Sequence, residues 1–476
     1  MLNRIYLIIG VLLMVGCEGI LDKEPIATLD AGSFFQTGAD AEQAINAAYQ
    51  PLLFSNQNNN FYWAMAVVTG DEAIDGGDGS RPGITEMENF AYTPRTEEFN
   101  TFWQLQYDGI TQCNLVLTEL PTVEEIQPEL RDRIEGEALF LRSYYYFLLT
   151  QVFGGVPHIL TILPPDELRI PRTDAATIRR QIIADANRAA ELLPIAHGAA
   201  SVGRATRGAA LALAAKSALY ERDWETVLAQ VNRIKELGVY DLVTDYRDNF
   251  NITTQNNVES VWEIQHENLE LGVGNFLNQW WASNKIDGYS FAETRPEFVA
   301  EFEPEDPRRR FTVASHNEEY FGRVYKRSFS STEHSPRKYI QADSTVTQKP
   351  DGDINYTAVR FAEVLLWEAE ALNELGRTAE AQQPLERVRA RARAQAEDPT
   401  TALPMVMTSN QMEMRAAIRH ERCVELGYEM HRFFDLVRWG VAEDILPGFE
   451  KGKHEVFPIP QTEIDLNPLL EQNDGY

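Results

Sequence analysis

Hydrophobic and polar positions follow two different rhythms along this chain. In the first, apolar residues recur every three or four positions. The stretch "RDRIEGEALFLRSYYYFLLTQVFGGVP" sets Ile134, Ala138, Leu141, Tyr145 and Leu148 on one face of a helix, and Gly154, Gly155 and Pro157 stop it. A second helix is predicted from Asp174, an N-cap, through "AATIRRQIIADANRAAELLP" to Pro194. Residues 207 to 237, "RGAALALAAKSALYERDWETVLAQVNRIKEL", and 356 to 392, "YTAVRFAEVLLWEAEALNELGRTAEAQQPLERVRARA", each read as helix, short polar turn, helix.

Small alanines on facing sides let such helices close on one another, and the pairs resemble tetratricopeptide repeats with a spacing too irregular for a simple array. The second rhythm has little helical period. "NVESVWEIQ", residues 257 to 265, alternates enough to predict a short strand. Residues 266 to 355, like residues 55 to 100, are rich in Gly, Asn, Ser, Pro and aromatics. Long irregular insertions in a helical protein are functional or disordered, and this aromatic content argues against disorder.

The N-terminus changes the picture. Ile5 to Val15 is an apolar run of about eleven residues after Asn3 and Arg4, too short to span a bilayer. It reads as a signal peptide over residues 1–16. Leu13, Met14, Val15, Gly16 and Cys17 resemble a bacterial lipobox, with Met14 where Leu is commonest; Cys17 would then open the mature protein and carry acyl chains. Two or three chains make a stable anchor where one is marginal. The alternative is a secreted protein whose cysteine falls there by chance. Of the other two cysteines, neither Cys113 nor Cys423 has a CxxC partner or metal spacing; both read as small buried apolar residues, and a disulfide between them stays open. A net charge of −29 repels phosphate backbones and argues against nucleic acid.

Seven segments together carry a family resemblance: "CEGILDKEP", "GEALFLRSYYYFLLTQVFGGVP", "GRATRGAALALAAKSALYERDW", "FVAEFEPEDPRRR", "VRFAEVLLWEAEALNELG", "IRHERCVELGYEMHRFFDLVRWG" and "FPIPQTEIDLNPLLEQNDGY". Their order, from Cys17 to Tyr476, resembles the SusD/RagB-like family, with Cys423 a departure from the usual larger residue. The resemblance implies a mainly α, SusD-like fold in one domain over residues 17–476. Four tetratricopeptide-like helix pairs, over about 40–54, 101–237 and 356–440, would scaffold irregular ligand-binding regions over about 55–100 and 266–355. It further implies a lipid-anchored protein on the outer membrane of a Bacteroidetes-type bacterium, facing outwards. There it would capture oligosaccharides, or peptides as in RagB-like members, for a SusC-like TonB-dependent transporter.

Candidate chemistry is consistent with binding rather than catalysis. In "RHERCVELGYEMHRFFDLVRWG", Arg422, Arg432 and Arg438 lie at helical spacings from Glu421, Glu425, Glu429 and Asp435, which reads as a salt-bridge lattice rather than an acid/base or metal site that would recruit His420 and His431. "VRARARA", with Arg389, Arg391 and Arg393, reads as a solvated or ion-paired helix end. No serine elbow, phosphate loop or HExxH is present, although 72 carboxylates always offer pairs that a glycoside hydrolase could use. Sugar rings need aromatic faces flanked by planar polar groups. Two irregular stretches offer them: Tyr62 and Trp63 before Asp71, Asp75, Asp78 and Arg81, and Asn278, Trp280, Trp281, Asn284 and Tyr289. Of these, one of Trp280 and Trp281 is expected to stack on ligand, while Trp103, Trp224, Trp262, Trp367 and Trp439 are expected in the core. No cofactor is expected. A structural calcium is the alternative use of the glycine-rich acidic loops "DEAIDGGDG" and "PDGDIN", although neither matches the twelve-residue calcium loop.

Overall fold

A computed structural model describes residues 35–342, 346 and 350–476. The signal peptide and Cys17 lie outside the described residues. Ten helices of eight residues or more are described: α1 (Gly38–Tyr49), α2 (Glu97–Glu119), α3 (Pro128–Phe153), α4 (Ala175–Leu192), α5 (Arg207–Tyr220), α6 (Trp224–Glu236), α7 (Phe361–Glu374), α8 (Thr378–Arg393), α9 (Gln411–Glu425) and α10 (Arg432–Trp439). Consecutive helices pack side by side from α1 to α8, and α9 lies against α7 and α8. The protein is mainly α with few strands, as the sequence predicts.

Local chemistry starts these helices where the sequence says it should. Asp174 accepts a hydrogen bond from the Thr177 N–H at 2.8 Å ahead of α4, Thr206 caps α5 and Asp223 caps α6. Gly154, at φ 73°, ends α3. Close packing uses small residues: a Cβ at Gly109 of α2 would meet the Tyr145 ring of α3 at 2.2 Å, so only glycine lets the two helices approach this far. Helix α1 packs on both α2 and α3 and completes the helical layer at the N-terminal side. Residues 356 to 360 depart from the predicted helix. They form a strand, Tyr356–Arg360, antiparallel to Ser260–Ile264, because the β-branched and aromatic run Tyr356, Thr357 and Val359 pairs with Ile264, Glu263 and Trp262 before α7 begins at Phe361.

The charged helix α9 and the turn after it form the ionic lattice expected of them, with partners the sequence spacing does not show. Glu425 accepts from Arg308 at 2.9 Å and Arg360 at 2.5 Å, and also pairs with Arg391. Arg360 further reaches Glu259 at 2.7 Å and Glu429 at 2.6 Å, and Lys338 reaches Glu429 at 2.7 Å. All of these side chains are buried. Burial opposes ionisation of Glu425, yet Arg391, Arg360 and Arg308 together hold its carboxyl well below the usual carboxylate range. Arg422 and Arg438 share Asp435, and Arg389 pairs with Glu421 and Glu303. The lattice thus ties the α8, α9 and α10 region to strand and loop segments far away in the chain. Cys113 and Cys423 are both buried and free, and burial pushes the Cys113 thiol up to about 12.

Candidate functional site

The two irregular stretches singled out in the sequence meet on one face. The first continues from a buried π-helical turn, Ala64–Val68, into a two-residue strand, Ala73–Ile74, which pairs antiparallel with Glu293–Thr294 at the end of the second stretch. Beyond that strand the chain forms a flat strap. The Gly76 N–H donates to the Ser290 carbonyl at 3.0 Å, and the Gly77 N–H to Asp75 Oδ1 at 2.9 Å. A Cβ at Gly76 would meet the Glu293 side chain at 2.2 Å and one at Gly77 would meet the Phe291 ring at 2.5 Å. Glycine is therefore what lets the strap lie directly on the second stretch.

That second stretch is a compact reversal. After the short helix Leu277–Trp281, Asp287 turns the chain at φ 68°, and the N–H groups of Tyr289, Ser290 and Phe291 donate back to the carbonyls of Gln279, Ala282 and Trp280 at 2.8–2.9 Å. Beneath both stretches lies an aromatic base. Trp280 contacts Phe61, Trp63 and Phe276 at ring-centroid distances of 5.7, 5.4 and 4.7 Å, and Phe291 stacks on Trp63 at 6.4 Å. Trp281 packs edge-on against Tyr339 and at a tilt against Tyr428.

This base corrects the expected aromatic platform. Trp63, Trp280, Trp281 and Tyr62 are 0, 2, 1 and 5% exposed, so their faces are spent on one another and on neighbouring rings instead of being open to a sugar. Tyr62 is held between Phe102 and Phe434, and its hydroxyl donates to Gln151 at 2.8 Å. Asn278 is also buried, its Oδ1 accepting from the Gln341 N–H at 2.9 Å. Asp71 is bound bidentately by Arg432 at 2.7 and 2.8 Å, which commits its charge to the scaffold. These six side chains position the site from below or behind.

What reaches the surface is a smaller set. Tyr289 is 44% exposed and stands on Phe276 and Phe291 at 6.1 and 5.4 Å. Arg81 lies over the Phe61 ring at 5.3 Å and has no carboxylate partner among the described residues. Asn284 and Asp78 are exposed, and the hydroxyl and N–H of Ser80 hold Asp78 below the usual carboxylate range. Asp75 is half-buried and braced by the Thr85 hydroxyl at 2.5 Å. Lys285 and Asp287, exposed on the same reversal, were not among the sequence candidates; they lie between Asn284 and Tyr289 but carry no aromatic signal of their own. A second concavity missed by sequence reading, about 290 Å³, is lined by Phe250, Phe311 and Phe321 with Arg247 and Arg337. Its aromatics are scattered over 72 positions of the chain, so no local motif announces it.

Directly behind the strap lies Glu72, buried, with one carboxylate oxygen accepting from the Tyr428 N–H at 2.8 Å and the other without a hydrogen-bond partner. Burial pushes this carboxyl up to about 8, against the Tyr428 bond and the nearby Arg432 and Lys338. The acidic loops considered for calcium turn several of their oxygens onto the protein itself, while Asp351 Oδ2 and one Glu72 oxygen are buried without a hydrogen-bond partner and Asp78 is exposed. Asp351 Oδ1 accepts from the Gly274 N–H at 2.5 Å, and Asp353 accepts from the Asn268 N–H at 2.8 Å and the Gln341 amide at 2.9 Å. Among the described residues, no three His, Cys, Asp or Glu side chains are grouped to hold a metal ion.

Known proteins match this architecture over nearly the whole chain. Residues 244–455 match the model of the SusD family, and residues 21–219 a model described as "Starch-binding associating with outer membrane". A SusD-like protein of Formosa agariphila is 25% identical, the alignment covering 96% of this chain and 95% of that one. Among solved structures, a laminarin-binding SusD-like protein is 27% identical with a TM-score of 0.81, covering 93% of this chain and 100% of its own. A SusD superfamily protein from Bacteroides vulgatus is 25% identical with a TM-score of 0.82 over the same shares. The helical scaffold, the irregular insertions on one face and these matches from end to end together establish that the chain belongs to the SusD/RagB-like family.

Proposed function

We propose that this protein is a surface lipoprotein of the outer membrane that captures oligosaccharides and hands them, uncleaved, to a SusC-like TonB-dependent transporter. The observation that carries this reading is the match along the chain to a laminarin-binding relative. The face described above suits the task. Tyr289 offers a ring supported from below, Arg81 an unpaired guanidinium, and Asn284 and Asp78 groups that bond sugar hydroxyls. Such an open face gives modest affinity, which suits release into a pore.

The test is an array of neutral and acidic glycans and of peptides, probed with the full-length protein in mild detergent. Retention of a glycan class, with no shortening of the bound oligosaccharide, is expected. Retention of peptides alone would replace the reading with peptide capture, and released shorter sugars would replace it with a surface glycosidase. For the anchor, Cys17→Ala is expected to leave the protein unacylated and off the membrane, and unchanged membrane anchoring would overturn that part. For the partner, a large barrel transporter is expected to co-purify from outer membranes, and recovery of the protein alone would count against the handover.

A further inference from the structure

Two tryptophans expected in the core, Trp224 and Trp439, are only half-buried, unlike Trp103, Trp262 and Trp367. Both line a pocket of about 420 Å³ formed where the α5–α6 turn, α7, α9 and the end of α10 meet. That volume lies in the range of small-molecule sites and exceeds the need of a bare ion. The ionisable side chains lining it are Arg222, Arg415, Arg419 and Arg438 against Glu370 and Glu374. This excess of positive charge sits in a chain of net charge −29.

Pairing within the pocket is incomplete. Glu374 takes Arg415 at 2.6 Å, and Glu370 takes Arg438 at 2.6 Å and the Trp439 indole N–H at 2.8 Å. That satisfies both carboxylates. Arg222 donates only to the Arg438 carbonyl at 2.7 Å, and Arg419 has no carboxylate partner among the described residues. Arg419 instead stacks on the Trp439 ring at 4.9 Å, and its Nε is buried without a hydrogen-bond acceptor. A guanidinium stacked in this way keeps its planar N–H edge fixed, and that edge matches a carboxylate or sulfate. The two Nη groups of Arg419 are not buried in this way and make no hydrogen bond among the described residues, so an acceptor supplied by a ligand would be favoured at that edge.

We propose that this pocket is a second binding site, for an acidic sugar residue whose carboxylate or sulfate ester is held by Arg419 and Arg222 while Trp224 contacts its ring. It is separate from the face around Tyr289. Helix α10 joins the two regions, with Arg432 on Asp71 at its first residue and Arg438 and Trp439 at its last two, about 10 Å along the axis.

The test measures binding of tri-galacturonate, a sulfated galactose disaccharide, a neutral gluco-oligosaccharide and inorganic sulfate to the full-length protein in mild detergent, by calorimetry and by tryptophan fluorescence. At least one of the two acidic sugars is expected to bind and to change the tryptophan emission, and the preferred one tells carboxylate from sulfate ester. The neutral sugar is not expected to displace it. Arg419→Gln and Arg222→Gln are each expected to weaken that binding about tenfold or more, with Arg419→Lys in between. Arg222 is exposed on a turn, so its variant keeps the test valid if Arg419→Gln fails to fold. Tyr289→Ala is expected to leave acidic-sugar binding unchanged. The proposal is overturned if neither acidic sugar binds, if sulfate binds but neither sugar does, if a correctly folded Arg222→Gln protein binds as the unaltered one, or if Tyr289→Ala abolishes the binding. Failure of neutral glycans to bind at the Tyr289 face would sink only the earlier reading.

Discussion

Two regions of this protein are built from charged and aromatic residues, and they use them in opposite ways. In the lattice around α9, Arg360 has three carboxylate partners and Glu425 three guanidinium partners, all out of water. At the face around Tyr289, Arg81 has one aromatic neighbour and Asp78 one local serine. The charges of the lattice are paired within the protein, which makes it structural. The face is only half satisfied, which leaves donors and acceptors open at the surface. The presence of charge therefore says little about function; what distinguishes the two regions is whether the protein has already consumed that charge.

The comparison breaks first at its buried end. Arg360→Met removes the shared cation from Glu259, Glu425 and Glu429 and leaves three carboxylates without it in a dry interior. Breaking a buried pair on one side costs about 3–5 kcal/mol, and urea unfolding should read a loss at the upper end of that range. A loss under 1 kcal/mol would mean that water reaches the lattice. Trp63→Ala tests the aromatic base in the same assay. Its ring packs against Trp280, Trp281 and Phe291, so truncation should cost about 3–5 kcal/mol and weaken glycan binding only by loosening what stands above it. A stable variant with abolished binding would restore Trp63 to the ligand face.

Glu72 sharpens the boundary between the two regions. Its folded carboxyl titrates at about 8, far above an unfolded glutamate, so the folded state binds the extra proton between those values. Its contribution to stability is therefore intact below the unfolded value and is lost as pH rises toward 8. Glu72→Gln keeps the oxygen that accepts from Tyr428 and cannot ionise. Compared with the unaltered protein, it should gain stability on the order of 4 kcal/mol at pH 8 and almost none at pH 4.5, measured by urea unfolding. Parallel pH profiles for the two proteins would contradict a buried, protonated Glu72.

Much of this was legible along the chain. Helices α3 to α6 follow from apolar period and caps, and the ion pairing of "RHERCVELG" follows from its residue types. Its partners do not, because Arg308 meets Glu425 across 117 positions and Arg360 across 65. Nor could sequence say which aromatics face outwards. Trp280 and Trp281 are adjacent, and adjacency suggests that one of them points to solvent. In the fold, Phe61, Trp63 and Phe276 cover the first while Tyr339 and Tyr428 cover the second, so both are core. Conversely Trp439 ends an amphipathic helix and packs against the edge of the apolar core, yet stays half-buried, with Arg419 and Arg438 lying over its ring.

The smallest expected change in folding comes at Tyr289, and it separates the two regions most cleanly. The ring is 44% exposed and touches only Phe276 and Phe291 among aromatic neighbours, so Tyr289→Ala should alter unfolding stability by about 1 kcal/mol or less. If the ring is a sugar platform, glycan affinity should nevertheless fall about tenfold, near 1.4 kcal/mol, with Tyr289→Phe restoring most of it because the stacking face survives without the hydroxyl. Calorimetric titration of both variants with whichever glycan the array retains reads that pattern. If alanine and phenylalanine weaken binding equally, the hydroxyl is the contact and the ring is not. If neither changes it, the ligand rests elsewhere on this face, and Arg81→Gln becomes the decisive variant, since Arg81 supplies the unpaired guanidinium beside the strap.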